Sequence, residues 1–171
     1  ESGNQDRLSR YIAHARASGI EMLPPDINES EREFNVVNGA IRFGFAGIKN
    51  VGDGAIDALL EARSGAEGPF RSLFDFAGRI DARRANRRVL ESLVKCGAFD
   101  SLHANRAAVW ASLDRAIERA AGEQRDRAVG QESLFGTAKN PEPATEAALV
   151  DAPAWGERER LSQEKELLGF Y

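Results

Sequence analysis

Apolar positions recur at three- and four-residue spacing along most of this chain, and one short stretch breaks that rhythm. From Asp6 to Ala17, Leu8, Tyr11, Ile12 and Ala15 share one helical face, and Gly19 stands where a helix C′ residue belongs. Ile20 to Pro25 is expected to be extended, because residues before proline avoid the helical region, and Ser30 then suits the cap of a short turn. Phe34–Val37 and Ala40–Phe43 flank Asn38-Gly39, the pair favoured in a type I′ turn, so a β-hairpin is predicted. An isolated hairpin is marginal, so it must pack on helices. From Gly44 onward the period is helical. Ala55–Ala62 carries Ile56, Leu59 and Leu60; Ser72–Arg79 carries Leu73, Phe74 and Phe76; Arg87–Lys95 carries Val89, Leu90, Leu93 and Val94; Arg106–Arg119 carries Val109, Trp110, Leu113 and Ile117. Gly122–Gly130 is charged and expected to fray. Residues 136–154 combine Pro, Ala, Thr and acids without a period and read as a flexible linker. Glu157–Leu168, apolar at Leu161, Leu167 and Leu168, is a last helix. The pattern predicts a mainly α fold with one small β-hairpin and a flexible C-terminal linker.

Composition narrows the function classes. The 171 residues are 42% apolar and 29% charged, ordinary for a globular protein of one domain or two small ones. A single cysteine, Cys96, excludes a disulfide framework and a cysteine-rich zinc site; it suits a reducing cytosol, so the expected location is cytoplasmic. Cys96 itself reads as a small core filler, since no second thiol or histidine accompanies it. His14 and His103 are the two histidines, too few for a histidine metal site, and no metal site is expected. No apolar run approaches the roughly 20 residues of a membrane span, so no membrane partner is expected. The chain begins at Glu1 rather than Met and stops at Tyr171 directly after an apolar helix end, which points to a piece of a larger protein.

The net charge of −4 hides a local excess. Between Arg71 and Arg106 stand eight basic residues, among them Arg83, Arg84, Arg87 and Arg88, against four acids, Asp75, Asp81, Glu91 and Asp100. Local charge decides polyanion binding, although arginine-rich helices also serve simply as solvated surface.

Two segments carry candidate chemistry. In the run Phe45 to Ala55, a short helix is expected to end in a tight turn at Lys49-Asn50-Val51-Gly52, with a second helix starting at Asp53-Gly54. Asn50 and Gly52 both tolerate positive φ, and Val51 between them fits the angle of the two helices. The amides of Gly52, Asp53 and Gly54 then lie at a helix N-terminus without intrahelical partners, a phosphate site that reads no sequence. This resembles the helix-hairpin-helix DNA-binding motif, with Asn50 in place of the first hairpin glycine and Gly54 where a lysine or other polar residue is common. The alternative is a plain packing corner. The run Val89 to Asp100, followed by the helix from Arg106, looks like a degenerate second hairpin, with Gly97 in the turn and Phe99 in the wedge position. Two such motifs joined by a helix over 71–79 make one tandem helix-hairpin-helix unit, with Arg83, Arg84, Arg87 and Arg88 beside the hairpins and available to phosphates.

The ordered set Ile20–Ser30, Ala40–Gly44, Ile48–Gly52, Gly68–Phe70, Leu73–Phe76 and Gly97–Leu102 resembles the bacterial replicative DNA polymerase III alpha subunit family along essentially the whole chain. The resemblance implies four parts: residues 1–43 closing the fingers region with the β-hairpin; 44–127 as the tandem helix-hairpin-helix DNA-binding region; 128–155 as a linker; and 156–171 as a helix leading to a downstream OB domain. It implies a DNA-directed DNA polymerase as parent, with Mg2+ and the catalytic acids upstream of this segment, so that no catalytic residue and no cofactor is expected here. Asp26, Asp53, Asp75, Asp81 and Asp100 instead stand in turn or helix-end contexts, where aspartate caps.

Residues 131–135 read Gln-Glu-Ser-Leu-Phe, which leaves Leu134 and Phe135 side by side in a linker with no local core. Such a pair often belongs to another protein's pocket. The pentapeptide is similar to the family's internal sliding-clamp motif, which implies a clamp contact through Gln131, Ser133, Leu134 and Phe135. The alternative is a pair folded back onto its own domain. The resemblance thus implies three kinds of partner: the β sliding clamp, duplex DNA without sequence preference, and other replicase subunits. Two further readings stay open: a purely structural or interaction module, and the error-prone paralogue of the same family.

Overall fold

The computed structural model describes residues 2–129 and 148–169. Helix α1 spans Ser2–Ala17, four residues longer at its start than the periodicity predicts, and the chain turns out of it at Gly19, φ +76°. Its inward stripe is narrower than expected. Ile12 is buried, whereas Tyr11 is 71% exposed. The helix packs on the short strand β1 (Met22–Leu23).

The predicted hairpin forms from β2 (Asn35–Val37) and β3 (Ala40–Arg42), paired antiparallel with Val36 opposite Ile41. Asn38 and Gly39 take φ of +53° and +83°, as a type I′ turn requires. Strand β1 adds to β3 in parallel, giving the sheet order β1-β3-β2. The sequence marks that stretch only as extended, since a two-residue strand has no periodicity to read.

Between β1 and β2 the chain enters the helical core. Ile27 is fully buried and its N–H donates to the Ala98 carbonyl at 2.8 Å. Asn28 accepts the Phe70 N–H and donates to the Phe70 carbonyl, at 2.7 and 2.8 Å. Ser30 closes this turn: its hydroxyl accepts the Asp26 N–H and donates to the Phe43 carbonyl. The sheet and the helices therefore bury their apolar faces in one core, where Phe76 stacks edge-on against both Phe70 and Phe99.

The helices after the sheet are α2 (Asp53–Ser64), α3 (Leu73–Arg79), α4 (Arg87–Lys95), α5 (Arg106–Ala111), α6 (Leu113–Val129) and α7 (Glu157–Leu168). Ser72, Asn86 and Asn105 start α3, α4 and α5, each accepting a backbone N–H two or three residues on. A mainly α fold with one small sheet is thus what the chain adopts.

Three expectations need correction. The single helix expected over 106–119 breaks at Ser112, whose buried hydroxyl donates to the Ala108 carbonyl and accepts the Val150 N–H. Helix α6 then continues to Val129 instead of fraying at Gly122. One glycine costs a helix about 1 kcal/mol, and α6 carries it while its earlier turns bury Ala116 and Ala120. Third, residues 148–155 of the expected linker are fastened to α5 and α6. Arg115 donates to the Ala148 carbonyl, Asn105 to the Ala152 carbonyl, and Trp155 stacks at 6.0 Å from Trp110. Bonds to backbone carbonyls need no apolar period, so no sequence pattern marks them.

Helix α7 docks on α4 and on the turn before α2. Leu167 and Leu168 are buried, and the Lys49 N–H donates to the Leu167 carbonyl at 3.0 Å. Leu161, expected on the same stripe, is exposed.

Candidate nucleic-acid interface

The first hairpin has a short leading arm, a single 3-10 turn at Phe45–Gly47. Asn50 takes the left-handed conformation, φ +69°, and its side-chain amide donates to Ser92 Oγ on α4 at 3.1 Å. Val51 is buried in the angle, as expected. Gly52 is a correction: its φ of −88° and ψ of 167° are extended, not left-handed. One left-handed residue suffices to reverse the chain, and Gly52 is the N-cap of α2, a position that takes the β conformation. Nothing lies within 4 Å of a Cβ placed at Gly52 or Gly54. Gly52, Asp53 and Gly54 are exposed, and no side chain caps the helix. The start of α2 is therefore open to an anion from solvent. The Lys49 side chain is exposed next to it in sequence.

The second hairpin forms but is closed. Gly97 takes φ +86° in the turn and Phe99 is buried in the wedge position. Gly97 is itself buried, with the Arg106 guanidinium packed against it, so its expected role as a phosphate contact is revised to that of a turn residue. Arg106 is 7% exposed. Its Nε and Nη2 pair with Asp100 at 2.8 and 2.7 Å, and its Nη1 donates to the Lys95 carbonyl and pairs with Glu164 of α7 at 2.7 Å. Burial works against the charge on Arg106, and the two carboxylates outweigh it. Cys96 beside it donates to the Leu93 carbonyl, and burial pushes the thiol up to about 12, which fits the expected inert filler.

Arg83, Arg84, Arg87 and Arg88 all reach the surface. Arg84 is engaged with Glu61 at 2.7 Å, a bond that raises the guanidinium pKa and lowers that of the carboxyl. Arg87 is engaged with Glu91 at 2.8 Å and with Asp114. No carboxylate lies within ion-pair distance of Arg83 or Arg88 among the described residues. The local positive excess shrinks further because Arg79 turns inward, donating to the Gly68 carbonyl and to Asp75, and because Lys95 lies 4.5 Å over the Trp110 ring.

The aspartates hold backbone or arginine. Asp26 accepts the N–H groups of Asn28 and Glu29, Asp75 that of Arg71, and Asp81 that of Arg83. No group of three or more metal-ligating side chains occurs among the described residues, and no helix of theirs is long and apolar enough to cross a membrane. Gln131, Ser133, Leu134 and Phe135 lie outside the described residues.

Two functional candidates escape the sequence reading. Arg106 counts there as part of a basic patch, and Arg32 draws no notice. Arg32 meets Asp53 Oδ1 at 2.7 Å and also contacts Asp57. The one usable signal is the spacing of Asp53, Asp57 and Glu61, four apart on one helix face, which calls for cations from elsewhere.

Residues 19–109 match the helix-hairpin-helix motif family. The chain is 41% identical over 169 residues to the DNA polymerase III subunit alpha of Vibrio cholerae, covering 98% of this chain and 14% of that protein. It is 40% identical to the same subunit of Borreliella burgdorferi and 40% identical to that of Neisseria meningitidis serogroup B, in each case along 100% of this chain and 15% of the relative.

Proposed function

Because this chain belongs to the helix-hairpin-helix family and resembles a stretch of DNA polymerase III alpha subunits along nearly its whole length, we propose that it is the part of a bacterial replicative DNA polymerase that grips duplex DNA by its backbone and holds the β sliding clamp. The chain spans 14–15% of the relatives it matches, so nucleotidyl transfer, its Mg2+ and contacts with other replicase subunits in the cytoplasm are proposed for the whole polymerase. No catalytic residue is assigned to this chain.

The observation that carries the DNA half is the open start of α2 at Gly52–Gly54. A phosphate there takes backbone amides at the positive end of a helix, with Lys49, Arg83 and Arg88 as further cations and no base edge read. The clamp half rests on Gln131-Glu132-Ser133-Leu134-Phe135. Leu134 and Phe135 each gain roughly 1.5–3 kcal/mol on full burial in a pocket, and Gln131 orients the peptide through its amide. Ordering the segment offsets part of that gain, which leaves an affinity on the order of micromolar to tens of micromolar. Tethering on the same DNA raises the effective concentration to about millimolar, so the contact is weak alone and firm in place. The division at residues 43/44, 127/128 and 155/156 belongs to the same reading.

Filter binding of the chain to duplex DNA across a salt series tests the first half, with affinity expected to fall linearly on a log–log plot. Capture of β clamp, competed by the 131–135 peptide, tests the second. A second reading, in which the hairpins only pack and the peptide alone functions, draws support from the closure of the second hairpin by Arg106 and from the engagement of Arg84 and Arg87. Clamp capture without DNA binding at low salt selects that reading.

A further inference from the structure

We propose that an apolar groove between α3 and α6 is a resting site for Leu134 and Phe135 of this same chain, so that the clamp-binding pair lies on its own domain until a clamp competes for it. The competition rests on the clamp reading above; the docking does not. The groove is lined by Ile80 at the end of α3, Ala85, Leu90 of α4, and Ile117, Ala120 and Ala121 of α6. The three α6 residues stand three and four apart, on one face of that helix. Ile80, Ala85, Leu90 and Ala120 are buried, Ile117 is half-buried and Ala121 is exposed. Gln124 is the one polar side chain beside them. Short alanine side chains leave a space of about 50 Å3, room for the tip of one apolar side chain rather than for two whole ones.

The course of the chain brings Leu134 within reach of this groove. Residues 130–147 leave from Val129, the last residue of α6. They end at Ala148, whose carbonyl accepts from Arg115 in the first turn of the same helix, and the Val150 N–H donates to Ser112 Oγ just before it. The two ends are thus fixed at opposite ends of α6. Ala121 lies eight residues before Val129, about 12 Å along the axis at a rise of 1.5 Å per residue. Leu134 lies five residues beyond Val129, and five extended residues span about 17 Å. The remaining residues to Ala148 are more than enough to return to Arg115.

Composition and charge single out the occupant. Leu134 and Phe135 are the only large apolar residues between 130 and 147. The same stretch carries Glu132, Glu142 and Glu146 against Lys139. The loop that supplies Ala85 to the groove also carries Arg83, exposed and with no carboxylate at ion-pair distance among the described residues. An acidic segment with one apolar pair therefore matches an apolar groove beside a free cation. Since both ends of the segment are already tied, docking adds little loop-closure entropy and acts at an effective concentration of about millimolar. A small groove offers little area, so the docked state is fractional. Occupancy of about half to nine-tenths lowers the apparent affinity for clamp about twofold to tenfold.

Methyl NMR of the chain tests the docking without any clamp. The Ile80 and Ile117 methyl resonances are expected to shift between the unmutated chain and the Leu134→Ala, Phe135→Ala chain, while those of Ile12 and Ile56, elsewhere in the core, stay in place. The peptide of residues 131–135, added at millimolar concentration to the doubly substituted chain, is expected to move the same two residues back. Identical Ile80 and Ile117 resonances in the two chains overturn the inference. Ala121→Phe, a groove-filling change at an exposed position, is expected to abolish the difference and to tighten clamp binding about twofold to tenfold. Melting of this variant is followed in parallel, and the comparison with the linker variant stands whatever its stability. A groove that Ala121→Phe empties with no gain in clamp affinity overturns the competition. Absence of clamp binding by every variant overturns the clamp reading, and the methyl comparison then still decides the docking.

Discussion

The substitution Gly97→Ala adds one methyl group at the point where the second hairpin is sealed, and its cost can be worked from the contacts. Two terms add. The residue sits at φ +86°, in the left-handed region, where a Cβ costs about 1–2 kcal/mol. That Cβ would also stand 2.4 Å from Arg106 Nη2, 2.8 Å from Cζ and 2.9 Å from Asp100 Oδ2. A flexible arginine tip usually swings away from such a clash, but this one is held by Asp100, Glu164 and the Lys95 carbonyl, with 8% of its side chain exposed. Fully breaking a buried pair costs roughly 3–5 kcal/mol; because Asp100 is 40% exposed, water replaces part of the loss, leaving about 1–2 kcal/mol. The sum is about 2–4 kcal/mol, or a fall in Tm of about 4–16 °C for a chain of this size. Urea unfolding followed by Trp110 and Trp155 fluorescence measures it. In an Arg106→Ala background the clash with the guanidinium disappears and Asp100, 40% exposed and released from its partner, can turn toward solvent, so Gly97→Ala is expected to cost little beyond the backbone term there. A loss below about 0.5 kcal/mol, or an equal loss in both backgrounds, refutes the view that Gly97 is a glycine because Arg106 lies on it.

Three further outcomes follow from particular residues. Asn50→Val is expected to cost about 2–3 kcal/mol, from a β-branched residue forced to φ +69° and the lost bond to Ser92, whereas Gly52→Val, in extended backbone with open space, costs under about 1 kcal/mol; comparable melting of the two variants contradicts this. Leu134→Ala with Phe135→Ala is expected to abolish clamp capture and leave melting unchanged, and pull-down of clamp at the unmutated level refutes it. Burial holds the His103 imidazole below its ordinary value of 6.5, and its Nε2 accepts the Leu73 N–H at 3.1 Å. The unfolded chain therefore takes the proton first. This contribution to stability is whole above pH 6.5 and is lost as pH falls toward the lowered folded value. His103→Phe is expected to flatten the stability curve between roughly pH 7 and 5, and an unchanged slope counts against it.

Helix existence, the hairpin and both left-handed turn residues of functional interest, Asn50 and Gly97, are legible in the sequence because each is a local preference. Periodicity locates α2, α3 and α4 to within two residues, and Asn38-Gly39 fixes the turn. The misses share a cause. Gly52 reads as a second left-handed residue because glycine permits either sign of φ, and only the N-cap geometry chooses. The strap at 148–155 is held by carbonyls of Ala148 and Ala152, which every residue has and no sequence pattern marks. Val129 as the end of α6 is not marked in the sequence, where a glycine and a run of charge predict fraying.

The candidate site divides along the same line. The sequence alone determined where the uncapped amides at the start of α2 lie and which arginines reach the surface, since both depend on a turn and on neighbours one helical turn away. Tertiary structure alone decided which charges are spoken for. It set Arg106 inside the second hairpin between Asp100 and Glu164, engaged Arg84 and Arg87 with carboxylates, and brought Arg32 across to Asp53. An ion pair between residues far apart in the chain has no periodicity, only a position in space, because Coulomb attraction depends on distance and not on sequence separation.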